Sequence, residues 1–416
     1  MSVVGIVTEY NPLHYGHTRH IQAARQLTGS EAVICVMSGS FTQRGEPALV
    51  NKWSRTAMAL EAGVDLVFEL PFVFAARSAY HFARGATLLL QKTGVVTHLC
   101  FGSELGRLSP LQNIAQVIHQ EPDPFKQLLK KELQQGAAFP QARADALLQY
   151  FKDTPLGKSM NLQQILMAPN NILAIEYLRA ILREQLDLIP ITLSRSGSGY
   201  HQLANTELAS ATSIRQDIFR QQPLEEIKGI PPSTRLILQQ EFDENRGPVD
   251  PDRMANLLRF CINRMIPEEL AAIYDVTEGL ENRILSASRR GTDLREIISL
   301  IKTRRYNYTR IMRVFSYILL QFTKQKAAVF DETGPLYFRL LGFSPQGQKI
   351  LQEMKANSRL PVITKMGGFS DWNGPADREM LAFDWMATDL HALLQPKPGP
   401  AGLDFTCSPL RIEGNS

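Results

Sequence analysis

Val3-Val4-Gly5-Ile6-Val7 is a short run rich in β-branched residues, too short for a helix and of the kind carried by a parallel strand buried on both faces. A helical period replaces it from near His14, where Ile21, Ala24 and Leu27 recur on one face and Thr28-Gly29 closes the segment. The alternation continues. Ala32 to Met37 reads as a second strand, Trp53 to Ala62 as helix and Val64 to Leu70 as a third strand. Val95 to Phe101 follows as a fourth, ending in Gly102-Ser103-Glu104, and Leu186 to Leu193 as a fifth. Strand-helix-strand repetition predicts an α/β fold with a doubly wound, Rossmann-like parallel sheet and ligands over the carboxyl ends of its strands. At Gly229-Ile230-Pro231-Pro232-Ser233 the pattern breaks, which predicts a linker. The expected division is an α/β unit over residues 1–228 and a mainly helical, basic unit over 229–416. In the latter Ile311, Phe315, Ile318 and Phe322 form a helical core stripe.

Between the first strand and its helix lies Asn11-Pro12-Leu13-His14-Tyr15-Gly16-His17. A helix N-terminus carries unsatisfied N–H groups and the positive end of the helix dipole, both favourable to a polyphosphate. Two imidazoles there can bond the oxygens of an α-phosphate as negative charge builds and pyrophosphate leaves, so His14 and His17 are the candidate catalytic pair. Gly16, without a side chain, leaves room for ribose and base against the helix backbone. The competing interpretation is two ordinary polar residues flanking a cap; strand, turn, glycine and helix in sequence favour chemistry.

Other polar segments also follow strands. The loop Ser38 to Ala48, leading into Lys52-Trp53-Ser54-Arg55, offers Arg44, Lys52 and Arg55 to phosphates or RNA backbone, with a solvated surface loop as the alternative. Pro169-Asn170-Asn171 opens a helix in which one asparagine can cap and the other face a base or ribose. Ser210 and Thr212 can cap a helix whose first turns face phosphate, with Arg195 and Arg215 as phosphate ligands. Lys302 to Arg313 brings Arg304, Arg305, Tyr306, Arg310 and Arg313 together as cations interleaved with tyrosines, an RNA-contact candidate weighed evenly against a solvated helix face.

The chain has 416 residues, 44% hydrophobic and 21% charged, enough for two or three folded domains. Its formal charge of +4 does not argue globally for nucleic acid, so any basic surface is local. Cys35, Cys100, Cys261 and Cys407 lie far apart, which predicts free thiols and no zinc site. No apolar run reaches the roughly 20 residues of a membrane helix, and a cytoplasmic enzyme with no membrane association and no obligate protein partner is expected.

The N-P-x-H-x-G-H turn followed by Ser210-Ala211-Thr212-Ser213-Ile214-Arg215 resembles the nucleotidyltransferase superfamily. Val7-Thr8-Glu9-Tyr10-Asn11-Pro12, Met37-Ser38-Gly39-Ser40-Phe41, Gln43-Arg44-Gly45-Glu46-Pro47, Lys52-Trp53, Phe101-Gly102-Ser103-Glu104 and Pro169-Asn170-Asn171 together resemble the bacterial tRNA(Met) cytidine acetate ligases. That resemblance implies adenylylation of acetate by ATP without acetyl-CoA, then transfer of the acetyl group to the wobble cytidine of elongator tRNA(Met), giving N4-acetylcytidine and AMP. It also implies an ATP site made of Val7, Thr8, Glu9, Tyr10, Asn11, Pro12, Leu13, His14, Tyr15, Gly16, His17, Thr18, Arg19 and His20, with Gly102, Asn170 (Asn171 in reserve), Arg195 and Ser196. Leu13, Tyr15 and Arg19 stand where the family pattern has phenylalanine, asparagine and tyrosine, leaving both histidines and Gly16 intact. Mg2+ is expected on the phosphates. Glu9, Glu46 and Asp65 are candidate ligands or bases, though a salt-bridging role is favoured for each. The alternatives are a nucleotidyltransferase acting on a small-molecule acceptor and a nucleotide-sensing RNA-binding protein without catalysis.

Overall fold

The computed structural model describes residues 2–195, 209–367 and 374–413. In chain order its sheet and the helices that matter here are β1 (Val3–Thr8), α1 (Tyr15–Thr28), β2 (Ala32–Ser38), α2 (Lys52–Glu61), β3 (Leu66–Leu70), α3 (Ala79–Lys92), β4 (His98–Ser103), α4 (Pro169–Glu184), β5 (Ile189–Ser194), α5 (Ala211–Phe219), α6 (Pro232–Asp243), α7 (Tyr308–Leu320), β6 (Phe338–Phe343), β7 (Val362–Ile363), α8 (Pro375–Leu393), α9 (Leu403–Thr406) and β8 (Leu410–Arg411).

The strands form one sheet in the order β5-β4-β1-β2-β3-β6-β7, with β8 also on β6. The five strands read from the sequence are present and mutually parallel. Successive side chains alternate between two cores, as a strand buried on both faces requires. Val3, Ile34, Val36 and Phe68 enter one cluster; Val4, Ile6, Val33, Cys35 and Val67 enter the other. The smaller cluster is closed by α1, α2, α5 and α6 through Ile21, Met58, Ile214 and Leu238. The larger takes α3 and α4 together with Leu258, Ile284, Ile297, Phe315 and Phe330 of the later helical region.

Two features depart from the expected arrangement. The chain after residue 229 contributes three strands: β6 joins β3 antiparallel, and β7 and β8 pair with β6. The sheet is therefore mixed, mostly parallel. The Gly229–Ser233 segment is also no loose linker. Gly229 accepts a hydrogen bond from the Tyr15 N–H at 3.0 Å, and Ile230 is buried in the core beneath α1. Pro232 then starts α6, a place where its missing N–H costs nothing.

The chain leaves β3 for β4 on the far side of β1, so the winding reverses between β1 and β4. A crevice opens there at the carboxyl ends, where a doubly wound sheet binds its ligand. Among the described residues no helix is long and apolar enough to cross a membrane, and all four cysteines are free.

Candidate active site

The crevice is a cleft of about 860 Å³, within the range of small-molecule sites. Its floor is the turn after β1. His14 is the N-cap of α1, and the two histidines cap the helix reciprocally. The Gly16 N–H donates to His14 Nδ1 at 3.0 Å, the His14 N–H donates to His17 Nδ1 at 3.3 Å, and the rings stack with centroids 3.8 Å apart. Because each Nδ1 accepts a backbone N–H, the neutral rings carry their protons on Nε2. Burial, reinforced by Arg195, depresses the His14 pKa to about 4. Burial, then His14, Arg195 and His20, holds His17 well below the usual range. Both imidazoles are thus neutral Nε2–H donors, fitted to receive developing negative charge on a phosphate. A Cβ on Gly16 would lie 2.8 Å from the His14 ring, so glycine is required for the cap as well as for access.

One wall is built by β4, β5, α4 and α5. Glu104 accepts hydrogen bonds from the Asn170 N–H (3.1 Å), Asn170 Nδ2 (2.6 Å) and the Asn171 N–H (2.8 Å). A carboxylate from the end of β4 thereby caps α4; neither asparagine does, which corrects the capping expectation. Asn170 passes the constraint on by accepting Arg195 Nη1 at 2.9 Å. Gly102 lets the Arg195 side chain lie over the strand end, where a Cβ would sit 3.0 Å from its Cγ and Cδ. Asn171 is buried, taking the Leu105 N–H and donating to the Ile165 carbonyl, so Asn170 is the asparagine that faces the cleft. Ser210 caps α5 through the Ser213 N–H; Thr212 lines the cleft instead of capping, and Arg215 donates to the Asn11 carbonyl at 2.8 Å.

Of the turn, Val7, Thr8, Glu9, Tyr10, Asn11, His14, Gly16, His17, Arg19 and His20 line the cleft. Pro12, Leu13, Tyr15 and Thr18 do not: Leu13 packs into the smaller core and Tyr15 is exposed. Ser196 lies outside the described residues.

The opposite wall joins the loop after β2 to α7. Gln43, Arg44 and Glu46 line it, and so do Thr309 and Arg313 from α7. Gly45, at φ 81°, packs so closely that a Cβ would lie 2.3 Å from the Arg313 nitrogen. In all, five arginines and two glutamates line the cleft, a local positive excess invisible in the net charge.

Several of the expected RNA contacts are corrected here. Lys52 and Arg55 are fully buried. Lys52 Nζ bonds Glu69 at 2.7 Å and Asp404 at 2.8 Å, and Arg55 donates to the carbonyls of Glu9, Ser38 and Gly39. With their donors spent on protein, neither can grip RNA. Tyr306 is buried with its hydroxyl donating to the Thr277 and Glu278 carbonyls, so it cannot stack on a base. Arg310 is half-buried and paired with Asp275 at 3.1 Å. Arg304 and Arg305 are exposed beside α7, Arg305 paired with Glu278 at 3.0 Å. The exposed tyrosine of this stretch is Tyr308.

Sequence reasoning missed Glu104 as the residue that orients Asn170, and Thr309 as a cleft residue. The Gly-Ser-Glu ending of β4 was the available signal for the first; nothing local marked the second. Asp65, a candidate metal ligand, instead accepts the Val33 N–H and pairs with Arg25 away from the cleft. No group of three potential metal ligands exists among the described residues. A protein cage of three or more such side chains is therefore not formed there; the carboxylates lining the cleft are Glu9 and Glu46, and Mg2+ that is bound mainly by substrate phosphates needs no more than one or two.

This fold and cleft define an α/β nucleotidyltransferase, with paired histidines at the first strand-to-helix turn and a cationic wall opposite. The family model described as HIGH Nucleotidyl Transferase matches residues 1–402. A tRNA(Met) cytidine acetate ligase of Syntrophomonas wolfei is 46% identical, with 99% of each chain covered. One of Halothermothrix orenii is 41% identical over 96% of each. The crystal structure of Thermotoga maritima TmcAL bound with alpha-thio ATP superposes with a TM-score of 0.90 at 33% identity, covering 99% of this chain and 100% of that one. The apo form of the same protein gives 0.91. The chain belongs to the tRNA(Met) cytidine acetate ligase family of HIGH nucleotidyltransferases.

Proposed function

We propose that this protein activates acetate with ATP and transfers the acetyl group to the wobble cytidine of elongator tRNA(Met), yielding N4-acetylcytidine, AMP and pyrophosphate. The observation that carries this reading is the shared cleft: neutral His14 and His17 donors on one side, and Arg44, Thr309 and Arg313 at the edge of the helical region on the other. A carboxylate is a poor acyl donor, and a mixed anhydride with AMP gives it a good leaving group. In the first step acetate oxygen attacks the α-phosphorus while Nε2–H groups of His14 and His17 bond its oxygens. Arg195, set by Asn170 and Glu104, and Arg215, in the second turn of α5, hold the nucleotide. In the second step the cytosine amine attacks the acyl carbonyl in the same water-poor space. In this reading the exposed Arg304 and Arg305, outside the cleft, hold RNA phosphates, Arg305 exchanging its Glu278 partner to do so. Mg2+ enters on the triphosphate, acetyl-CoA has no role, no obligate protein partner is required, and a tRNA acceptor puts the work in the cytoplasm.

The test is transfer of carbon label from acetate to purified elongator tRNA(Met), with ATP present and acetyl-CoA absent, followed by nucleoside analysis. Labelled N4-acetylcytidine that requires ATP is the expected result. Label confined to a small adenylate would keep the activation step and overturn the acceptor. No label would favour adenylylation of a different small molecule.

A further inference from the structure

Paired imidazoles account for the phosphate but leave the second step without a base. His14 and His17 cannot serve: each Nδ1 already accepts a backbone N–H, each Nε2 carries the proton, and their pKa values are depressed. Among the described residues lining the cleft the carboxylates are Glu9 and Glu46; Glu46 lies in the loop after β2, beside Tyr308 at the start of α7, whereas Glu9 follows β1 and leads into the histidine turn. We propose that Glu9 is the general base of acyl transfer, its free carboxylate oxygen taking the proton lost by the attacking amine. The inference rests on the acetyl-transfer reading above.

Glu9 follows the last residue of β1, at the point where the sheet reverses its winding. One carboxylate oxygen, Oε1, accepts the Gln43 N–H at 2.5 Å, and the Glu9 carbonyl accepts Arg55 Nη1 at 2.8 Å, so both side chain and backbone are held. Oε2 accepts no hydrogen bond among the described residues. Arg55 from α2, Arg44 from the loop after β2, Arg215 from α5 and Tyr177 from α4 are the charged or titratable groups that face it. Burial raises its pKa more than Gln43 and the three arginines lower it, which makes it a stronger base than a solvated glutamate. The step balances. The cytosine nitrogen forms a bond to the acyl carbon, and the bond from that carbon to the phosphate oxygen breaks with its electron pair leaving on AMP. The nitrogen's proton passes to Glu9 and later to solvent.

Glu9→Gln keeps an oxygen for the Gln43 N–H but removes the base. On one preparation, acetate-dependent ATP–pyrophosphate exchange reports adenylation, and single-turnover labelling of elongator tRNA(Met) reports transfer. The expected result is a fall in the transfer-to-exchange ratio of about 100-fold or more, the range of general base contributions. In the unsubstituted enzyme that ratio should fall on acidification with a midpoint above the ordinary glutamate range, and this limb should vanish in Glu9→Gln. Titration of His14 acts on exchange and is removed by taking the ratio. A parallel loss of both activities, or transfer at the unsubstituted rate, would overturn the proposal. Absence of acetate-dependent exchange in the unsubstituted enzyme would instead overturn the acetylation reading.

Discussion

Lys52→Met separates a structural from an RNA-binding role for a lysine in a cationic sequence segment. Lys52 is fully buried, and its ammonium bonds Glu69 and Asp404, which are 2% and 0% exposed. Arg339 also pairs with Asp404, at 3.0 Å, so the substitution leaves Glu69 as the carboxylate without a cation. Burial lowers the lysine's pKa, but Asp404 and Glu69 more than offset it, so the ammonium is held charged. Removing one partner of a buried pair costs about 3–5 kcal/mol. With an unfolding entropy of about 2.1 cal/mol/K per residue, a chain of 416 residues should lose about 5 °C in Tm for about 4 kcal/mol. The loss should depend on pH. Burial already raises the Glu69 pKa, and without Lys52 the largest opposing charge is gone and only the weaker influence of Arg339 remains. The folded variant then binds a proton that the unfolded chain releases above about pH 4.3, so its stability falls as pH rises, by up to about 1.4 kcal/mol per unit, until the folded pKa is passed. Scanning calorimetry at pH 5 and pH 8 should show the larger deficit at pH 8, while tRNA affinity measured by anisotropy on the folded variant stays near that of the unsubstituted protein. An unchanged Tm with weaker, less salt-sensitive tRNA binding would refute the burial argument.

His17→Ala removes the proposed donor to the α-phosphate and should slow acetate-dependent exchange by about 10²–10³-fold with tRNA affinity largely kept; normal exchange would defeat the assignment. Arg304→Ala combined with Arg305→Ala should weaken tRNA binding and flatten the plot of log K against log salt by about 1–2, while exchange without tRNA continues. An unchanged slope would remove these arginines from the RNA path. Since His14 titrates at about 4 in the fold and 6.5 is the ordinary value, the unfolded chain binds more protons between those limits. Stability from this group is therefore present above about pH 6.5 and lost as pH falls toward 4. His14→Asn should reduce that slope in calorimetry, and an equal slope in both proteins would contradict a depressed pKa.

The turn at His14 was legible because everything that defines it is local: a β-branched strand, a capping position and a glycine within one helical turn. The expected helix start at His14 falls on the N-cap, one residue before α1. Lys52, Arg55 and Tyr306 were misread because a cation or a tyrosine in sequence does not reveal its partner. Asp404 is 352 residues from Lys52. β6 reads Phe-Arg-Leu-Leu-Gly-Phe amid helices, with Arg339 buried only because Asp404 and the Thr364 carbonyl take its donors. A short apolar run of that kind carries no periodicity that distinguishes strand from buried helix.

That antiparallel return also explains how α7 comes to line the same cleft as the paired histidines. β6 against β3, with the Lys52–Asp404 and Arg339–Asp404 pairs, fixes the end of the chain to the catalytic sheet. Phe315 and Ile318 of α7 are buried in the same core as Ile34 and Phe68. Helix α7 is thus anchored from beneath by packing and from the side by Gly45, whose missing Cβ admits the α7 backbone. Arg313 is consequently held at the cleft by the fold itself, and on the acetyl-transfer reading proposed above a tRNA bound at this region would meet the adenylate where it forms. Were the helix on a separate, loosely tethered unit, the anhydride would wait in an open site exposed to water. A side chain at position 45 should force α7 outward and, on that reading, lower single-turnover labelling of tRNA relative to acetate-dependent exchange without touching either histidine.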